Sequence, residues 1–359
     1  MAWIHRSTIR SLLAVCAVAA ASRGVAAQQR PDVVRGLVRS GGAAVPYAVV
    51  ALEPARGQEF SDDSGAFRLA GVPPGAYRLL VRQIGFRPFD STVVKVAAVP
   101  LVLSIEMQPL VVELSAITVT TSRACTAPGP PDSAAAPQLA ALLEQIRENA
   151  DRYAFLADSY PFRYRMSRKF ADYDQMGRVA SSSSDVVQLV SSNRVRYQPG
   201  YVVKTGLGPN DSLMPRIVLP TLSDFGDSVF QATHCFYYAG TVDRNGGRYV
   251  RFDYVPTEAL RTPDIEGEVY LDALSFQIRI ATVRLTRVGR AMPGLLSTSS
   301  TITFAELYPN VLIPRRVEGE LVPEPRYDVR TPIARYTETQ QLIDIRFERA
   351  LPAAGPPGR

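Results

Sequence analysis

Ser64-Gly65-Ala66-Phe67-Arg68-Leu69-Ala70-Gly71-Val72-Pro73-Pro74-Gly75-Ala76-Tyr77-Arg78-Leu79 sets two short extended segments between stiff turns. Phe67 and Leu69 point one way and Ala66 and Arg68 the other, the period-two pattern of a half-buried strand. Asp62-Asp63-Ser64-Gly65 ahead of it is turn chemistry, because Asp bonds its own backbone and Gly accepts positive φ. Val72-Pro73-Pro74-Gly75 ends one strand and launches the next, on which Tyr77, Leu79 and Val81 share a face. Outward from this stretch the pattern repeats. Val34, Gly36 and Val38 alternate with Arg35, Leu37 and Arg39, Gly41-Gly42 makes a turn, and Ala48, Val50 and Leu52 line one face of Pro46–Leu52. Ile84-Gly85-Phe86, Thr92–Val96, Leu101–Met107 and Leu114–Thr120 complete about seven strands over residues 30–122, the spacing of an antiparallel β-sandwich.

Val34–Val38, Ala44-Val45-Pro46, Ala48-Val49-Val50, Asp63-Ser64-Gly65-Ala66-Phe67, Val72-Pro73-Pro74-Gly75-Ala76-Tyr77 and Gly85-Phe86 occur in order, and together they resemble the carboxypeptidase regulatory-like domain. That family is a transthyretin-like sandwich found beside zinc carboxypeptidases and at the N-termini of TonB-dependent outer-membrane receptors. The resemblance implies an accessory or binding module without catalytic residues of its own. Gly36, Gly65, Phe67, Pro74, Gly75, Tyr77 and Gly85 are therefore read as structural motif residues. Asp62 and Asp63 are read as a turn, since a calcium loop needs more oxygen ligands at fixed spacing than this segment supplies. Alternation with Leu79 and Val81 places Tyr77 in the core.

The 359 residues suit about two domains, and 46% hydrophobic with 21% charged residues is an ordinary globular composition. Residues 1–27 read as a secretory signal peptide: Arg6 and Arg10, a short apolar run over Ser11–Ala21, then Val25-Ala26-Ala27 before the cut. The run is too short to span a bilayer. Leu13-Ala14-Val15-Cys16 departs from a lipoprotein box at Val15, so an ordinary export signal is the expected reading. Removing the leader takes the formal charge from +6 to +3. Lys95, Lys169 and Lys204 are the only lysines, and arginine is spread evenly rather than clustered with aromatics, so no nucleic-acid partner is expected. Cys125 and Cys235 remain after export. They either form a disulfide, which an oxidising compartment permits, or stay as two thiols.

Residues 123–138 carry Pro128, Pro130, Pro131, Pro137 and three alanines, the composition of a linker. Over residues 139–350 one helix precedes a strand-rich domain. Leu139, Leu142, Leu143 and Ile146 recur at helical spacing, with Arg147, Glu148 and Asp151 on the other side. Extended segments are expected at Arg163–Phe170, Arg178–Ser182, Val186–Val190 and Arg194–Val202. A hairpin is expected around Asn245-Gly246-Gly247. A second hairpin joins Gly267–Asp272 to Phe276–Arg284, and a third joins Thr298–Ala305 to Val311–Glu320. Pro332–Phe347 supplies the last strands, and residues 351–359 are a tail. The expected fold is mainly β: a sandwich followed by a larger curved antiparallel sheet or half-barrel with one packed helix. Gly267–Arg284 looks similar to the hairpins of periplasmic lipoprotein-carrier-like half-barrels.

After the leader His234 is the single histidine, so a catalytic zinc with two or three His ligands cannot be built. No Gly-x-Ser-x-Gly elbow, phosphate loop or Rossmann fingerprint occurs. His234 and Cys235 are adjacent on a strand and point to opposite faces. Glu266, Glu268 and Asp272 form the one acidic cluster worth weighing as a hydrolase site, against a cross-strand ion pair of Glu268 with Arg279. No catalytic residue, metal or cofactor is assigned. The sequence points to an exported, non-enzymatic protein of the periplasm or outer membrane. It either holds an apolar ligand such as a lipid between helix Leu139–Ala154 and the sheet, or serves as a platform for an envelope protein or polysaccharide.

Overall fold

The computed structural model describes residues 34–54, 57–91, 94–97, 99–111, 124–134, 136–192, 196–208, 213–325 and 332–351. The expected leader, the expected strand Leu114–Thr120 and residues 352–359 of the tail lie outside the described residues.

The first unit contains β1 (Val34–Ser40), β2 (Ala43–Ala44), β3 (Val49–Glu53), β4 (Gly57–Phe60), β5 (Ala66–Leu69), β6 (Gly75–Arg82), β7 (Phe89–Asp90), β8 (Val94–Val96) and β9 (Leu101–Glu106). One sheet runs β2-β1-β5 with β9 also on β1, and the other runs β4-β3-β6-β7 with β8 also on β6. The alternation read from sequence decides which side chains meet between them: Val34, Val38, Val50, Leu52, Phe67, Leu69, Leu79 and Val81 are all buried in one cluster. Each such side chain removed from water contributes about 1.5–3 kcal/mol, which favours this register over a one-residue slip.

The β1–β9 pair is parallel, from Val34 opposite Leu101 to Arg39 opposite Glu106, a departure from the antiparallel expectation. Between them the chain passes through the other sheet, which supplies the long crossover that a parallel pair requires. Gly36 is needed there, because a Cβ would fall 2.2 Å from the Leu103 carbonyl oxygen and 2.8 Å from the Phe67 ring. Gly65 has φ +76, and a Cβ would fall 2.4 Å from the Val38 carbonyl oxygen. Asp62 makes the turn before it, accepting from the Ser64 and Ala66 amides at 2.9 Å each and from the Ser64 hydroxyl at 2.7 Å.

The second unit follows as α1 (Pro137–Ser159), β10 (Phe162–Asp174), β11 (Val179–Val190), β12 (Val203–Leu207), β13 (Leu213–Ile217), α2 (Leu222–Gly226), α3 (Ser228–Thr233), β14 (His234–Arg244), β15 (Gly247–Pro256), β16 (Ile265–Asp272), β17 (Ile278–Leu285), α4 (Val288–Ala291), β18 (Leu295–Tyr308), β19 (Val311–Pro323) and β20 (Ile333–Phe347). Nine strands form one antiparallel sheet in the order β11-β10-β20-β19-β18-β17-β16-β15-β14, and β12 and β13 form a separate hairpin. The three expected hairpins are present. Asn245 and Gly246 take φ 50° and 80°, the left-handed pair that matches a hairpin to strand twist. The two segments expected at Arg178–Ser182 and Val186–Val190 are one continuous strand, since Ser181–Ser184 pair with β10 throughout.

Arg194–Val202 is not a strand over its described part, 196–202. Pro199-Gly200 turns the chain there, with Gly200 at φ +76 and the Tyr201 amide donating to the Gln198 carbonyl at 3.0 Å. None of the described helices is long and apolar enough to cross a membrane.

Candidate functional site

α1 organises the molecule from its centre. Leu142, Leu143 and Ile146 enter a core with Phe225, Phe252, Tyr254, Val269, Leu271 and Ile278, and these side chains fill the space between helix and sheet. The position expected to take an apolar ligand is thus lined by buried side chains that belong to one core cluster.

Part of the other side of α1 is not solvated, contrary to the expectation for Glu148. Gln145, Glu148, Asn149 and Arg152 are buried. Gln145 accepts from the Gly85 amide at 2.7 Å, and Asn149 accepts from the Ile278 amide at 3.1 Å while donating to the Phe276 carbonyl at 3.0 Å. The Arg152 guanidinium donates to the Tyr47 carbonyl in the first unit and to the Asn310 carbonyl (3.2 Å) at the β18–β19 turn. It also pairs with Glu148 at 3.4 Å. Burial pushes the Glu148 carboxyl up, and the Arg152 and Arg82 charges oppose that shift. Tyr47, Val49 and Phe60 pack on Phe155, Leu156, Tyr308 and Val311 around this network. Periodicity reads one apolar stripe and assigns the rest of a helix to water. A helix covered by two different layers defeats that rule.

The hydrolase candidates are tied into ion pairs or a turn. Glu266 and Glu268 share one face of β16. Arg284 stands 3.6 Å from Glu266 and 3.0 Å from Glu268, and Arg251 stands 3.6 Å from Glu268. Thr282, not Arg279, lies opposite Glu268, and its hydroxyl donates to that carboxylate. Arg279 itself is the residue passed over at the bulge, where Tyr270 pairs with Ile280 and Leu271 with Ile278. Asp272 accepts from the Leu274 and Ser275 amides at 3.0 and 2.8 Å and closes the turn. Burial raises its carboxyl, but those donors outweigh it and hold the group below its ordinary value.

Cys125 and Cys235 are joined, with Cα atoms 5.5 Å apart across 110 positions of sequence. The Pro-rich stretch is thereby pinned along β14: the Gly129 amide donates to the His234 carbonyl and the Tyr237 hydroxyl to the Ala124 carbonyl, both at 3.0 Å. His234 is fully buried, stacked on Phe230 at 4.1 Å, with its ring nitrogens 2.9 Å from the Phe230 carbonyl and 3.1 Å from the Ile265 carbonyl. Burial pulls its pKa below the ordinary value.

A cavity of about 390 Å³ lies elsewhere, under the β12–β13 hairpin, and no described residue of α1 lines it. Strand register builds its floor. Ser300, Gly319, Glu338 and Phe170 stand side by side across β18, β19, β20 and β10. In the adjoining row Leu321, Tyr336 and Asp172 do the same. Glycine at 319 leaves the middle of the floor without a side chain, and a Cβ there would meet nothing nearer than Ser300 Oγ at 3.5 Å. Met214, Ile217 and Leu219 roof it from the hairpin side, and Met292 and Leu295 close one end. Arg216 reaches down from β13 to both carboxylate oxygens of Glu338, 2.7 Å each, and fixes roof to floor. Pro215, Pro293 and Tyr336 are exposed lining residues and mark where the cavity meets solvent. No sequence pattern signalled this site, because its wall comes from four strands, a hairpin and a short helix that only the sheet order brings together. A second, polar cavity of about 250 Å³ adjoins the Arg82, Glu148 and Arg152 network.

No curated protein matches the chain by sequence. Among solved structures, a type II cohesin–X-dockerin complex from Acetivibrio cellulolyticus is similar at 17% identity and TM-score 0.20 over 21% of this chain, which spans 56% of that one. A putative outer membrane lipoprotein-sorting protein domain from Vibrio parahaemolyticus is similar over 58% of this chain and 95% of its own, at 12% identity and TM-score 0.33. A LolA superfamily protein from Nitrosomonas europaea is similar over 58% of this chain and 94% of its own, at 13% identity and TM-score 0.32. Residues 33–108, the sandwich read from its turns and alternation, match the carboxypeptidase regulatory-like domain family.

Proposed function

We propose that the second unit holds a single aliphatic chain in the cavity between the β12–β13 hairpin and the β10, β20, β19 and β18 floor. The regulatory-like sandwich is then an accessory module fixed to it through α1, and the whole is a non-enzymatic binding or carrier protein of the cell envelope. The cavity carries this reading: about 390 Å³ falls in the range of small-molecule sites, and nine of its twenty lining residues are Met, Leu, Ile, Phe or Pro, with Asp172, Arg216, Glu320 and Glu338 as the charged ones. The Cys125–Cys235 bond supports an oxidising compartment.

Native mass spectrometry of the full chain, purified without denaturant, tests it. An apolar ligand at one per chain is expected. Gly319→Leu places a side chain in the open floor and should weaken binding of a fluorescent phenylnaphthylamine by about tenfold or more while the chain stays folded. Absence of both ligand and dye binding, or dye affinity unchanged in folded Gly319→Leu, would remove the cavity from consideration.

A further inference from the structure

We infer that the occupant of this cavity carries a cationic head group, received by Asp172. The inference rests on the reading of the cavity as an aliphatic-chain site. Asp172 lies on the wall, half-buried, and its carboxylate accepts from the Ser181 hydroxyl. No cationic side chain stands within ion-pair distance of it among the described residues, and the arginines on neighbouring positions have other partners. Arg168 is paired with Asp185, Arg216 with Glu338, and Arg335 lies 3.6 Å from Glu320 while stacking over the Tyr173 ring at 4.2 Å. With Glu338 held by Arg216 and Glu320 by Arg335, Asp172 keeps an uncompensated negative charge on the cavity wall among the described residues.

A carboxylate or phosphate head entering beside Asp172 would bring like charges together in a partly desolvated site, whereas an ammonium would supply the missing counter-charge. Tyr336 strengthens the assignment. It lies directly opposite Asp172 across β10 and β20, on the same face, and lines the same cavity, so a cation there meets a carboxylate and an aromatic ring together. The hydrocarbon tail then runs along Gly319 toward Leu295 and Met292.

Displacement of bound phenylnaphthylamine from the full chain by dodecylammonium and by dodecanoate, each below its micelle concentration, reads this out. Dodecylammonium is expected to bind about tenfold tighter, the factor that about 1.4 kcal/mol represents. Asp172→Asn should bring the two ligands within about twofold of each other when each is scaled to the dye affinity of the variant itself. Equal displacement by the two ligands, a preference for dodecanoate, or a preference for dodecylammonium that survives Asp172→Asn would overturn the head-group assignment and leave the aliphatic site standing. Failure of the dye itself to bind would remove the site and the assignment with it.

Discussion

Replacing Arg152 by Met is the most informative single change in the molecule. The side chain is fully buried and touches three parts of the chain. Its guanidinium serves the Tyr47 and Arg82 carbonyls in the sandwich, the Asn310 carbonyl in the large sheet and the Glu148 carboxylate on its own helix. Methionine fills much of the same volume but serves none of these acceptors. Breaking a buried ion pair from one side costs about 3–5 kcal/mol, because the remaining charge stays uncompensated. Here the remainder is Glu148, left with Arg82 at 3.6 Å. The orphaned Tyr47, Asn310 and Arg82 carbonyls would each add about 1–3 kcal/mol if independent, but the four acceptors relax around one site and do not add fully. The expected loss is therefore about 4–6 kcal/mol.

Urea titration followed by far-ultraviolet circular dichroism and tyrosine fluorescence measures it, since the one tryptophan, Trp3, lies in the expected leader. Two transitions should appear where the wild type gives one, as the sandwich loses its hold on α1. Adding Glu148→Leu to Arg152→Met should recover most of the loss, because an apolar pair replaces a broken ionic one. If Arg152→Met stays within about 1 kcal/mol of wild type, the guanidinium does not join the two units and the reasoning fails.

His234 gives a pH signature. Burial lowers its pKa in the folded chain, so below its unfolded value of 6.5 the unfolded chain binds a proton that the folded chain refuses. Its contribution is present above pH 6.5 and is lost as pH falls toward the folded value, and His234→Gln should flatten that part of the stability profile; parallel profiles would contradict it. Cys235→Ala opens a covalent link across 110 positions and should lower stability by about 2–4 kcal/mol in thermal melts, with reductant doing the same to the wild type and nothing further to the variant.

What the sequence determined by itself was local. Turn residues such as Pro73-Pro74-Gly75 and Asn245-Gly246 and the alternation of Phe67 with Leu69 specify strands and hairpins, because turn geometry and the two-residue period act over a few residues. The match of residues 33–108 to a known family has the same origin: several such turns fall in order. The three hairpins of the large sheet are readable on the same ground, whereas Pro199-Gly200 turns the chain where Arg194–Val202 is expected to be extended.

Tertiary structure decided everything that depends on which strands become neighbours. The order β10-β20-β19-β18 joins residues more than a hundred positions apart, and only that order sets Asp172, Gly319 and Glu338 on one floor. It likewise covered α1 on two sides, turning a polar stripe that reads as solvated into the buried joint around Arg152. Glu268 is expected opposite Arg279 from sequence, and the register of the folded hairpin sets Arg284 beside Glu266 and Glu268 instead. Burial, register and charge pairing are long-range properties of the packed sheet, so the opening stretch specified a sandwich while the cavity waited on the fold.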